Sequence, residues 1–142
     1  MRIVSRFLSL SAADRWLCVH ALIVVALVRL QLALLPFRPG VGHKQARSAS
    51  SGSRPSPERI AWAVNRAGRY VGNATCLVQA LAAQGILGKH GFGSRIRIGV
   101  VAGERQGNRS ELIAHAWVEF GGRILVGGPD ISRYTPLLSW ST

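Results

Sequence analysis

A thiol and an imidazole are the groups in this 142-residue chain whose setting points to chemistry. Cys76 lies in NATCLVQALAAQGIL, residues 73–87, where Asn73 or Thr75 can cap a helix and Leu77, Ala80, Leu81 and Gln84 follow at helical spacing. A helix N-terminus presents unpaired N–H groups and the positive end of the helix dipole. Both favour an anion, and the thiolate is the nucleophilic form of cysteine. His115 stands near the start of the strand-like run AHAWVEF. A cysteine on a helix start facing a histidine on a strand is the working pair of a thiol hydrolase or acyl transferase.

A strand's period of two puts His115, Trp117 and Glu119 on one face and Ala116, Val118 and Phe120 on the other. If Gly121-Gly122 is a two-residue turn, Phe120 faces Arg123 and the register carries His115 opposite Gly128. Asp130 then falls on the face of His115, one diagonal step of about 7–8 Å away. There it can hold one imidazole nitrogen while the other faces Cys76, the third-member role of a catalytic triad. Each residue also has a plainer reading. A helix-start cysteine or a strand histidine can simply be packed, Gly127-Gly128-Pro129 can end the ladder early, and Asp130 can serve as a turn former. Trp117 and Glu119 read as packing and surface residues.

The elements that must position these groups follow from pattern. Ser11 and Asp14 mark a helix start, and Trp16 to Leu35 is strongly apolar up to Pro36. A cleaved signal does not fit, because the apolar run is too long and no small-residue cleavage site follows. His20, Arg29 and Gln31 interrupt the segment, and a mid-helix arginine costs about 2.5–3.5 kcal/mol on insertion scales. A helix packed on protein or lying on a membrane surface therefore fits better than a span. Phe37 to Pro57, with RSASSGSRPSP at its heart, reads as a linker. Glu58 to Val71 is an amphipathic helix with an apolar stripe of Ile60, Ala61, Val64, Ala67 and Val71. GKHGFGS is a glycine-rich turn without P-loop spacing. Arg95 to Val101 alternates as a half-buried strand, Leu112 to Phe120 is the second strand, Arg123 to Val126 the third, and TPLLSW closes the chain. Helices followed by an antiparallel sheet make an α+β domain. The chain divides into a hydrophobic helical segment (1–43), a linker (44–57) and a folded domain (58–142).

Composition sets the remaining bounds. Apolar residues make up 48% of the chain, enough for a core, and 18 Lys and Arg against 6 Asp and Glu give a net charge of +12. Such a balance suits an acidic partner or a membrane surface, although only Lys44 and Lys89 are lysines, an arginine bias that a GC-rich genome also produces. No aromatic–basic platform marks a nucleic-acid binder. Two cysteines, Cys18 and Cys76, are no disulfide framework and fit a reducing cytoplasm. No CxxC or HxxxH spacing suggests a metal, and no cofactor is implied.

The motifs NATCLVQALAAQGILGKHG, RIRIGVV, AHAWVEFGGRIL and RYTPL, over about Glu58 to Leu138, resemble the lasso-peptide biosynthesis B2 proteins. These are leader peptidases with a transglutaminase-like, papain-type core. The resemblance implies a cysteine protease that removes the leader from a ribosomally made precursor, before a separate ATP-using cyclase closes the ring. It implies Cys76 as nucleophile and His115 as general base. The family's acid falls in many members where this chain has Gly127, so the third member is either Asp130 or a backbone or amide acceptor. The implied partners are the precursor's leader, the small B1 leader-recognition protein and the cyclase, without nucleic acid. A non-catalytic or amide-transferring relative of the same fold, and a basic membrane-surface protein, are the competing readings.

Overall fold

The computed structural model describes residues 10–34, 54–72, 74–103, 112–128 and 130–141. Ser11 starts the first helix, α1 (Ala12–Leu34), through a reciprocal cap. Its hydroxyl accepts from the Asp14 N–H at 3.2 Å and donates to the Asp14 carboxylate at 2.7 Å. Ser56 caps α2 (Pro57–Gly68) by accepting from the Arg59 N–H, and Pro57, which has no N–H to leave unpaired, fills the first helical position. The helix ends three residues before the expected Val71. Thr75, rather than Asn73, caps α3 (Cys76–Lys89); Asn73 itself lies outside the described residues.

Four strands follow: β1 (Arg95–Ala102), β2 (Leu112–Phe120), β3 (Arg123–Val126) and β4 (Thr135–Ser141). They form one antiparallel sheet in the order β3-β2-β1-β4, which puts the final TPLLSW segment beside β1 as an edge strand. The α+β class expected from the sequence is the class observed. The linker expected over 44–57 lies outside the described residues up to position 53.

The core is made by one face of each layer. Leu17, Cys18, Ala21 and Val25 of α1 join Ile60 and Val64 of α2, Ile86 and Leu87 of α3, and Ile96, Ala116, Val118 and Val126 of the sheet in a single buried cluster. Each large aliphatic side chain fully buried there stabilises the fold by roughly 1.5–3 kcal/mol. The segment expected as a hydrophobic N-terminal unit thus shares its core with the helices and sheet that follow.

An ion pair reinforces the docking of α1. The Arg59 Nε donates to the Asp14 carboxylate at 2.9 Å, and the guanidinium's terminal nitrogen lies against the same oxygen. Hydrogen bonds from Arg59 and then Ser11 hold the Asp14 carboxyl below its ordinary value, and they outweigh the opposing effect of burial. A depressed folded-state pKa contributes stability at neutral pH that is lost as pH falls through it. Asp14→Asn should therefore be less stable than wild type at pH 7. The gap should close in acid well below the ordinary carboxylate range, when the wild-type carboxyl is itself protonated. Urea midpoints of both proteins at neutral and acid pH measure this; a gap independent of pH would assign the loss to the cap alone.

Candidate functional site

Helix α3 carries Cys76 as its first residue, half-buried against the core. The cap uses Thr75 twice: its hydroxyl accepts from the Val78 N–H at 3.4 Å and its carbonyl from the Gln79 N–H at 3.1 Å. The N–H groups of Cys76 and Leu77 have no carbonyl to bond within the helix, as for any first turn, and point out of its end beside the thiol. Gln79, one candidate donor on this turn, gives its amide N–H to the Ala74 carbonyl at 3.1 Å. The other cysteine is differently placed. Cys18 is buried in α1, where burial pushes its thiol up and disfavours the thiolate.

The sheet places His115 on the face it shares with Trp117, while Ala116 and Val118 on the other face meet the helices. The His115 ring lies against two aromatic rings. Trp117 is stacked at 6.3 Å and Tyr134 is tilted at 5.1 Å between centroids. Its Nε2 lies at hydrogen-bond distance from the Gly127 carbonyl. A carbonyl only accepts, so Nε2 carries the proton and Nδ1 offers its lone pair. Further along this face, the Trp117 indole N–H donates to Glu119 at 3.0 Å, and Glu119 pairs with Arg97 of β1 at 3.1 Å.

The hairpin departs from simple alternation. Phe120 pairs with Arg123 and Glu119 with Ile124, as a two-residue turn predicts, but a β-bulge then shifts the pairing so that Val118 faces Val126. A one-residue shift moves every later residue of the partner strand relative to β2. The uniform register that put His115 opposite Gly128, with Asp130 a diagonal step on, does not continue past the bulge. Asp130 is exposed and its carboxylate accepts from the Ser132 hydroxyl at 3.3 Å. Among the described residues, the group hydrogen-bonded to the imidazole is the Gly127 carbonyl, and no hydrogen bond joins His115 to Cys76 or to Asp130. An open groove of about 440 Å³, lined by Arg95, Arg97, Glu119 and Phe120 among others, includes none of the three.

One contributor, Tyr134, was missed by sequence reasoning. Gly127 stands out in the sequence only as the position where many members of the resembling family carry the acid, with a backbone acceptor as one alternative. Its φ of +112° and the 2.5 Å that would separate a Cβ from the Trp117 Cβ show why glycine is needed there. Tyr134 reaches the ring from the approach to β4, a placement that only the tertiary fold creates. No group of three or more His, Cys, Asp or Glu able to hold a metal occurs among the described residues.

Gly127→Ala should be destabilising by about 1–3 kcal/mol or more, because both the backbone conformation and the contact with Trp117 oppose a methyl group. Chemical denaturation checks this. Gly128→Ala, at positive φ but with open space around it, should cost less.

A sequence model of the transglutaminase-like superfamily matches residues 16–139, from the first turns of α1 to the last strand. No curated protein and no solved structure matches the chain.

Proposed function

We propose, for a chain that belongs to the transglutaminase-like superfamily, that it is a cysteine peptidase acting through Cys76 and His115, and that its substrate is the leader–core junction of a lasso-peptide precursor. The observation that carries the peptidase reading is Cys76 as the first residue of a capped helix, inside the region matched to the family. The substrate rests on the resemblance of the NATC, RIGV and AHAWVE motifs to the lasso-peptide B2 leader peptidases.

In this reading the Cys76 thiolate attacks the junction carbonyl, and the resulting oxyanion is met by the free N–H groups of the first turn of α3. The Gly127 carbonyl fixes the tautomer of His115. Nδ1 is thereby left to take the thiol proton and to return it to the departing amine of the core peptide. Water, deprotonated by His115, then cleaves the thioester, releasing the leader as a carboxylic acid and restoring the thiol. The chemistry requires the imidazole and thiol to come within hydrogen-bond reach when substrate binds, a contact not made among the described residues. The B1 leader-recognition protein is the proposed partner that delivers the leader, and the cyclase acts on the product. The proposed setting is cytoplasmic.

Cys76→Ala should lower precursor cleavage by at least about a thousandfold, as loss of a nucleophile does, and leave the urea midpoint near wild type. Cys18→Ala should cleave normally. Cleavage by Cys76→Ala at the wild-type rate would remove the peptidase reading.

Asp130 provides a separate test. With its carboxylate turned to Ser132 and the imidazole held by Gly127, Asp130→Asn should cleave at the wild-type rate in single turnover at saturating leader and recognition protein. A large loss of rate without loss of leader binding would instead restore Asp130 as the group that orients His115.

One observation favours a second reading, a transglutaminase-fold protein without hydrolytic activity. His115 packs against the Trp117 and Tyr134 rings, and among the described residues no hydrogen bond joins it to Cys76. Failure of the wild-type protein to process precursor in the presence of its recognition protein would favour it.

A further inference from the structure

Helix α1 buries one side and leaves an apolar side open. The buried side is Leu17, Cys18, Ala21 and Val25. On the opposite side Trp16, Val19, Ile23, Leu27, Leu30 and Leu34 are exposed, Trp16 by 75% and Leu34 by 72%. At 3.6 residues per turn these six fall within an arc of about 80°. No charged residue of the helix lies in that arc; on one side Ala26, Ala33 and Leu22 continue the apolar surface around Arg15. The helix is long and apolar enough to cross a membrane. Its inner face, however, belongs to the common core, and Asp14 is tied to Arg59. A helix packed in that way presents its outer face instead of spanning.

The rims of this face are basic. Arg15 lies about 40° outside it on one side, and Arg29 follows beyond Leu22 towards the buried face, on the flank where Arg66 lies near enough to Cys18 to act on its thiol. On the other side burial and then the nearby Lys89 and His90 disfavour the charged form of His20, so the charge there is that of the exposed Lys89. The described acidic groups are engaged elsewhere. Of the four described carboxylates, Asp14 faces Arg59, Glu58 faces Arg123, Glu119 faces Arg97, and Asp130 takes the Ser132 hydroxyl. The chain as a whole carries +12.

From this arrangement we propose that the outer face of α1 docks on an anionic lipid bilayer, lying in the interface with its apolar side chains inserted and its basic rims at the headgroups. A second copy of the chain fits the face less well, because pairing it with itself would bring basic rims together. An apolar face flanked by arginine and lysine, with an exposed tryptophan at one end, matches what an interfacial helix needs. The proposal does not rest on catalysis and is tested apart from it.

The test is co-sedimentation of the full chain with vesicles of phosphatidylcholine alone and of phosphatidylcholine with phosphatidylserine. The wild type should bind the serine-containing vesicles more tightly, and the preference should weaken with added salt. Ile23→Glu and Leu30→Glu should each weaken binding at least about tenfold, with far-UV circular dichroism and urea midpoint unchanged because both side chains are already exposed. Arg15→Gln with Arg29→Gln should reduce the preference for serine-containing vesicles while leaving the apolar face intact. Absence of wild-type binding, equal binding to both vesicle types, or binding unaffected by the two glutamates would each overturn the proposal. So would self-association through the same face, seen by sedimentation and abolished by those glutamates, in a chain that ignores vesicles.

Discussion

Helix α3 must be buried along its length and open at its first residue, and the rest of the chain is arranged around those two demands. Ala80, Ala82 and Ala83 are fully enclosed, and small side chains let the helix approach its neighbours closely. Its one buried polar side chain, Gln84, is satisfied from the lead-in to β1 and from β4. Its amide N–H donates to the Ser94 carbonyl just before β1, and its oxygen accepts from the Trp140 indole of β4 at 3.1 Å. A buried amide left unpaired costs about 1–3 kcal/mol, so this bridge fixes the middle of the helix to both β1 and β4. The end that carries Cys76 is set by the Thr75 cap and needs no such burial.

The other half of the site depends on a local failure of strand regularity. The bulge opposite Val118 and Glu119 brings Gly127 against Trp117, with no room for a side chain, and turns the Gly127 carbonyl to the His115 ring. The Phe120–Arg123 pair was legible because a two-residue glycine turn fixes it. The bulge was not, because adding one residue to a strand leaves no mark in composition or alternation. The uniform register that placed Asp130 a diagonal step from His115 therefore ends at the bulge. The adjacent glycines 127 and 128, both at positive φ, mark where β3 ends, just past the bulged Leu125.

The helices were legible in outline because Ser11 and Thr75 are cap residues followed by helical spacing and each caps as its type predicts, while the Ser56 cap of α2 emerged only in the structure. What could not be read was which side of α1 faces inward. Its outer face is as apolar as its inner one, so periodicity carries no direction. The decision is made by partners far along the chain, such as Arg59, 45 residues from Asp14. The same holds for Tyr134, whose contact with His115 depends on β4 lying beside β1, a pairing that no local pattern in TPLLSW announces.

Charge and packing then bear on the same element. Composition alone left the arginine excess open to a genomic explanation. In the fold, arginines opposite Asp14, Glu58 and Glu119 are spent on internal pairs, while Arg15 and Arg29 sit beside an apolar surface that has nothing over it among the described residues. A bias in base composition would scatter arginine without regard to hydrophobic neighbours. It does not explain why the uncharged arc of α1 is kept clear of it. Because the inner face of α1 packs on both α2 and α3, whatever meets the outer face is coupled mechanically to the helix that carries Cys76. A contact there would fix the orientation of the thiol end of the domain without touching it.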